Sequence, residues 1–187
     1  LTTIDFEIVF NNLGLVEVLS GTLNLAGPPS NYANYTLSGG AYRVLGTFKF
    51  LLADIITNSA VITLEGSAAR IVSQSDVDAL LNFVFNAPGG SFAIKNGRNF
   101  TSAKSFSNAG NLTVGAGVTF RARDYGQTAG STVLENGTLA TNLLLVNIYG
   151  GVFSGAGNVS GSVNNSGRIN VGGSAGAPGV HHNADRI

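Results

Sequence analysis

A few short stretches of the chain carry residue types able to do chemistry. "FRARDYG" (120–126) sets Arg121 and Arg123 two apart, on one side of an extended strand, with Tyr125 next to them. Two guanidinium groups so placed suit an acidic sugar or a partner's carboxylate, and a tyrosine ring adds a surface on which a sugar stacks. Asp76 with Asp78, and Asp5 with Glu7, are the closest carboxylate pairs; paired carboxyl groups about 5–10 Å apart are what glycoside hydrolysis requires. His181, His182 and Asp185 are potential metal ligands, and Gly155 with Gly157 superficially resembles a phosphate-binding loop.

Each has a plainer reading that competes with the chemical one. Asp76 and Asp78 open a stretch with helical spacing, where carboxylates complement the helix dipole. Asp5 and Glu7 alternate with Ile4, Phe6 and Ile8 and read as a solvated strand face. Adjacent histidines near the chain end lack the geometry of a fixed metal site. The Gly155–Gly157 segment has neither the following helix nor the lysine that phosphate binding needs. No catalytic residue, metal or cofactor is therefore expected. Arg121, Arg123 and Tyr125 remain the place to look for a ligand, against the alternative of an exposed strand face.

Composition narrows the function further. Charged residues make up only 11% of the 187, and ten basic residues balance ten acidic ones. Such a chain has no field to draw in nucleic acid or anionic lipid. Cysteine is absent, which excludes disulfides and thiolate metal sites. No apolar run reaches the ~18 residues of a membrane-spanning helix.

What must position these residues is a repeat. "FNNLGLVEV" (10–18), "FSNAGNLTV" (106–114) and "VNNSGRINV" (163–171) are one phrase written three times, with Asn12, Asn108 and Asn165 each followed two residues later by Gly14, Gly110 or Gly167. The asparagines lie 96 and 57 residues apart, close to whole multiples of a unit of about 19–20 residues. Val44 and Leu64 are 20 apart, as are Val114 and Leu134. Apolar residues alternate within each unit, as in Phe92/Ile94 and Leu112/Val114, which sends them to one face of a strand. A fixed unit that repeats its own chemistry fits a coil laid turn on turn: an all-β, parallel β-helix, or solenoid, right-handed as parallel crossovers are. Asn12, Asn108 and Asn165 are expected at bends where their amides bond along the stack, and the glycines at the corners. Nine turns at ~4.8 Å make a rod of roughly 45 Å.

The reading places one solenoid domain over 1–179 and a polar tail or linker over 180–187. "SQSDVDALLNFVFNAPGG" (73–90) interrupts the alternation: Val77, Leu80, Leu81 and Val84 have helical spacing, Ser75 stands as N-cap, and Pro88-Gly89 stops the run. One short helical excursion is expected near 76–85.

"FNNLGLVEVLSGTLNLAG" (10–27), 89–120 and "GGVFSGAGNVSGSVNNSGRINVGGSAGAPG" (150–179) resemble the β-helical repeat tracts of large bacterial secreted and autotransporter-like surface proteins. The resemblance implies a non-enzymatic extracellular or cell-surface solenoid serving as stalk, adhesin segment or matrix fibre. Its expected partners are flanking solenoid domains or further copies stacked end to end, since an uncovered solenoid end is an unpaired sheet edge. A surface glycan is a further expected partner. The competing expectation is a carbohydrate-binding or polysaccharide-cleaving β-helix.

Overall fold

A computed structural model describes residues 3–6, 9–172 and 181–183, with side chains over 9–172. These residues form a parallel β-solenoid of about seven turns. Every turn visits three faces in the same order. The first face stacks Leu15–Val18, the second half of Thr36–Val44, the second half of Thr57–Glu65, Ser91–Lys95, Asn111–Val114, the start of Ser131–Ile148, the start of Val152–Asn165, and Arg168–Val171. The second face begins with Thr3–Phe6, Thr22–Leu25, Thr47–Phe50 and Arg70–Ser73. It resumes with Phe100–Thr101, Thr119–Ala122 and the strands above them. The third face stacks 36–38, 57–58, Phe85–Asn86, Phe106–Asn108, Tyr125–Gln127, 146–148 and 163–165.

Alternation along each strand becomes columns across the stack. On the first face Val16, Tyr42, Ile62, Phe92, Leu112, Thr132 and Phe153 lie in register, and Val18, Val44, Leu64, Ile94, Val114 and Leu134 form a parallel column. Most of these side chains are fully buried. Aromatic rings carry the core through the middle turns: Phe100 stacks on Phe120 with centroids 4.8 Å apart, and Phe106 on Tyr125 at 6.1 Å. Each fully buried side chain of this size contributes about 1.5–3 kcal/mol of transfer free energy.

The corner from the third face to the first is held by amides. Asn58, Asn86, Asn108 and Gln127 occupy one column and have no exposed surface. The Asn58 amide nitrogen donates to Asn86 Oδ1 at 2.9 Å, and that of Asn86 to Asn108 Oδ1 at 2.8 Å. Each also donates upward to a carbonyl of the next turn: Asn58 to Ser91, Asn86 to Asn111, Asn108 to Ser131 and Gln127 to Gly150. Asn12 makes the equivalent bond to the Ala41 carbonyl at 3.0 Å, and its Oδ1 accepts from Gly14 N. Asn165 shares the column with Ile148 between it and Gln127; its Oδ1 accepts from Gly167 N at 3.1 Å. Gly110 sits at this corner because a Cβ there would lie 2.3 Å from the Gly90 carbonyl oxygen of the turn beneath.

The expected helix near 76–85 is absent; the described residues contain no helix. Asp76 has φ +59°, outside the right-handed helical region. Residues 77–79 instead return antiparallel along Arg70–Ser73: Ser73 N donates to the Val77 carbonyl, Ala79 N to the Ile71 carbonyl, and Val72 bridges Asp78. A free strand edge inside the stack needed a partner, and the excursion supplies it. It also drives Phe83 into the core, edge-on to Phe92 at 4.9 Å and to Phe106 at 5.0 Å. The turns are fewer than the nine expected because their lengths vary from 16 to 30 residues between first-face strands. Of the segment assigned to a tail, His181–Asn183 pairs parallel with Gly157–Val159, and the remainder lies outside the described residues.

Asn86→Ala removes the donor that serves both Asn108 Oδ1 and the Asn111 carbonyl in a dry column. It should cost about 2–3 kcal/mol, read as a lower urea midpoint. Burial pushes the Tyr125 phenol well above its ordinary pKa, against weaker opposing bonds to Thr132 and Asn108, and burial does the same less strongly to Tyr42. The folded chain thus holds these protons more tightly than the unfolded chain, so the stability they contribute is full below about pH 10 and is withdrawn as pH rises beyond it. Denaturant midpoints should fall above about pH 10, and less steeply in Tyr125→Phe.

Candidate functional site

Insertions in the coil collect at one corner, between the second and third faces. There lie 26–35, 51–56, 74–84, 102–105, 123–124 and the bulge at 141–144, while the amide corner stays tight. The first three loops enclose a groove of about 640 Å³. Tyr32, Tyr35, Leu52, Val77 and Leu81 supply its apolar lining, with Asp54, Asp78 and Asn82 among its polar groups. Leu52 is 72% exposed, Leu81 62% and Tyr35 56%, an unusual concentration of bare apolar side chains on a small chain.

A run of hydrogen bonds ties successive loops together along the groove. Tyr32 Oη donates to the Asp54 carbonyl at 2.8 Å and accepts from Asp54 N at 3.1 Å. The Asp54 carboxylate accepts from Asn82 Nδ2 at 3.0 and 3.2 Å, and Asn82 Oδ1 accepts from Lys104 Nζ at 2.7 Å. Ser105, next in the chain, donates to Asp124 Oδ2 at 2.8 Å. Partial burial, with a smaller contribution from the neighbouring Asp54 charge, raises the Tyr32 pKa against the backbone bond that lowers it. Tyr32 is therefore a neutral donor at physiological pH.

The groove is also where backbone strain gathers. Asn34, Tyr35 and Leu52 line it with φ of +50°, +60° and +57°, and Asp76 at +59° flanks it. Asparagine tolerates this region; tyrosine and leucine do so at a cost of roughly 1–2 kcal/mol each. Residues held this way cluster at ligand clamps and other functional sites.

The groove's carboxylates are engaged within the fold. Asp54 is occupied by Asn82, and Asp78 Oδ1 accepts from Leu80 N while Oδ2 lies 3.6 Å from Arg98. Among the described residues no group of three or more His, Asp or Glu side chains is placed to hold a metal, and His181, His182 and Asp185 have no described side chains.

The residues singled out from the sequence lie farther along the same corner. Arg121 and Arg123 are both exposed, and Arg123 Nε stands 3.7 Å from Asp124 Oδ2. Tyr125 corrects the expectation of a stacking surface: it is wholly buried, with its hydroxyl 2.6 Å from Thr132 Oγ1. Simple alternation from Arg123 points Tyr125 outward, but the bend at Arg123–Asp124 reverses the phase between Thr119–Ala122 and Tyr125–Gln127. Sequence reasoning missed the groove altogether, since its walls come from three loops without a shared motif. It also missed Asn58 and Asn86: Ala60 stands where the phrase has glycine after Asn58, and Pro88-Gly89 lengthens the corner after Asn86.

Leu52→Gly should stabilise the fold by about 1 kcal/mol, because it relieves a left-handed leucine that gives up little packing. A raised urea midpoint checks it. Comparison of the chain with known protein families, with curated proteins and with solved structures gives no match.

Proposed function

We propose that the chain is a structural, non-enzymatic solenoid of the bacterial cell exterior, a stalk, adhesin segment or matrix-fibre subunit. In this reading the rod spaces or presents other groups outside the cell, and further coils stack on it, from flanking domains or from copies of itself. The observation that carries the reading is the use the stack makes of its charge. Each carboxylate among residues 9–172 already has a partner. Glu17 and Glu65 share Arg43, Asp76 pairs with Lys49, Asp78 with Arg98, Asp124 with Arg123 and Glu135 with Lys95, while Asp54 accepts from Asn82. Their use within the fold supports this reading, since a polysaccharide-cleaving site needs a carboxyl group poised on substrate.

These charges lie on the outside of the rod, and apart from the sequence neighbours Arg123 and Asp124 each ion pair ties one turn to another. Arg43 holds Glu17 at 3.0 Å and Glu65 at 3.0 Å, turns on either side of it, and the guanidinium keeps the Glu65 carboxyl below its usual pKa. Exposed pairs of this kind are worth little singly. Their effect here is to spend the few charges on register.

Incubation of the purified chain with plant and bacterial polysaccharides should release no reducing sugar; release from any of them overturns the non-enzymatic reading. Negative-stain electron microscopy of a concentrated sample should show rods joined end to end. Fields of dispersed particles at every concentration would remove self-assembly and leave flanking domains as the cover for the ends.

A further inference from the structure

We propose that the outer surface of the third face, between Phe85 and Tyr149, is a binding platform for a neutral polysaccharide. Outward residues on this face form the column Thr57, Phe85, Ser107, Gly126, Asn147, Asn164. Tyr149 follows the Asn147 strand, is 62% exposed, and turns its ring back over Gly126. A methyl group on Gly126 would stand 3.4 Å from the ring. The ring edge thus rests beside the glycine at contact distance, with most of the tyrosine open to solvent. Phe85 is half-buried two rungs below Gly126. Two rungs are roughly 9.6 Å, so the two rings mark out a strip along the rod axis.

Between and beside the rings lies a shallow groove of about 380 Å³ with Ser105, Ser107, Asp124, Thr128 and Asn147 along it. Ser105 donates to Asp124 Oδ2, and Asn164 Nδ2 donates to Asn147 Oδ1 at 3.0 Å. The Ser107 hydroxyl and the Asn147 amide nitrogen make no bond to a described residue, so both are open to a ligand. Flat rings flanked by short hydroxyl, amide and carboxylate groups match the alternation of C–H faces and hydroxyl edges on a sugar. Each pyranose of an extended glycan advances by about one strand spacing, which lets a chain running along the axis meet both rings.

Charge selects a neutral polymer. Asp124 is the groove's carboxylate, and Arg123 lies beside it at 3.7 Å, so the patch offers an anionic chain no net attraction. The stalk proposed above has no need of this platform, and either reading can fail alone. The loop-edge groove at Tyr35 and Leu52 is a different place, at another corner of the coil, and serves as an internal control.

Affinity electrophoresis through gels containing hydroxyethyl cellulose, xylan, galactomannan, soluble starch or polygalacturonate tests the assignment. The chain should be retarded by at least one neutral polymer. Tyr149→Ala should weaken that retardation about tenfold, with the melting temperature unchanged because the side chain is exposed. Gly126→Val, whose γ-carbons extend beyond a Cβ already in contact with the ring, should act in the same direction, and Tyr35→Ala should have no effect. Passage through every neutral gel unretarded, retardation by polygalacturonate alone, or full retention by Tyr149→Ala would each overturn the proposal.

Discussion

Everything in this chain depends on a counterpart rule: what lies above a residue is the residue that does the same job one turn later. The amide column shows the rule at its strictest. Asn58, Asn86, Asn108 and Gln127 are buried without surface, and a buried amide left unpaired costs on the order of 1–3 kcal/mol. Each is satisfied by a polar neighbour together with a backbone carbonyl of the next turn. An apolar replacement in the middle of the column would leave the amide oxygen above and a carbonyl of the next turn without their donor. Where the ladder stops, Thr132 takes over: its hydroxyl lies 2.6 Å from Tyr125 Oη and donates to Gln127 Oε1 at 2.5 Å, so the polar run ends bonded before Ile148 interrupts the column below Asn165.

The same rule decides where variation is allowed. A turn may lengthen only at a corner whose neighbours need not match it, and the insertions gather between the second and third faces. The amide corner admits little because glycines such as Gly110 let consecutive turns touch. Function is thereby pushed onto one long edge and onto the outward columns. The loop groove belongs to the first. The Phe85–Tyr149 strip belongs to the second, with Phe85 in a strand and Tyr149 just past the end of one.

Much of this was legible in the sequence, and what was not has physical reasons. Val44 over Leu64 and Val114 over Leu134 could be read directly, because those turns are 20 residues long and the alternation is unbroken. The all-β solenoid followed from such pairs. Local periodicity misled at 76–85, where Val77 and Leu81 are exposed while Leu80 and Phe83 are buried; an open strand edge outweighed helix propensity. Tyr125 was misplaced by a single residue of phase at a bend. Gln127 went unnoticed since a glutamine standing in for asparagine breaks the phrase without breaking the ladder. The Tyr149 platform depends on where the chain turns after Ile148, and the glycine beside it in the strand has many other readings.

The most direct measurement exploits the lack of cysteine. Thr113 and Val133 are outward neighbours on adjacent turns of the first face, while Asn170 lies further up the stack. Adjacent rungs about 4.8 Å apart fit disulfide geometry. Thr113→Cys with Val133→Cys should close quantitatively under mild oxidation, and Thr113→Cys with Asn170→Cys should stay reduced as a monomer. Failure of the first pair to close, or closure of the second within one molecule, would contradict the stacked coil.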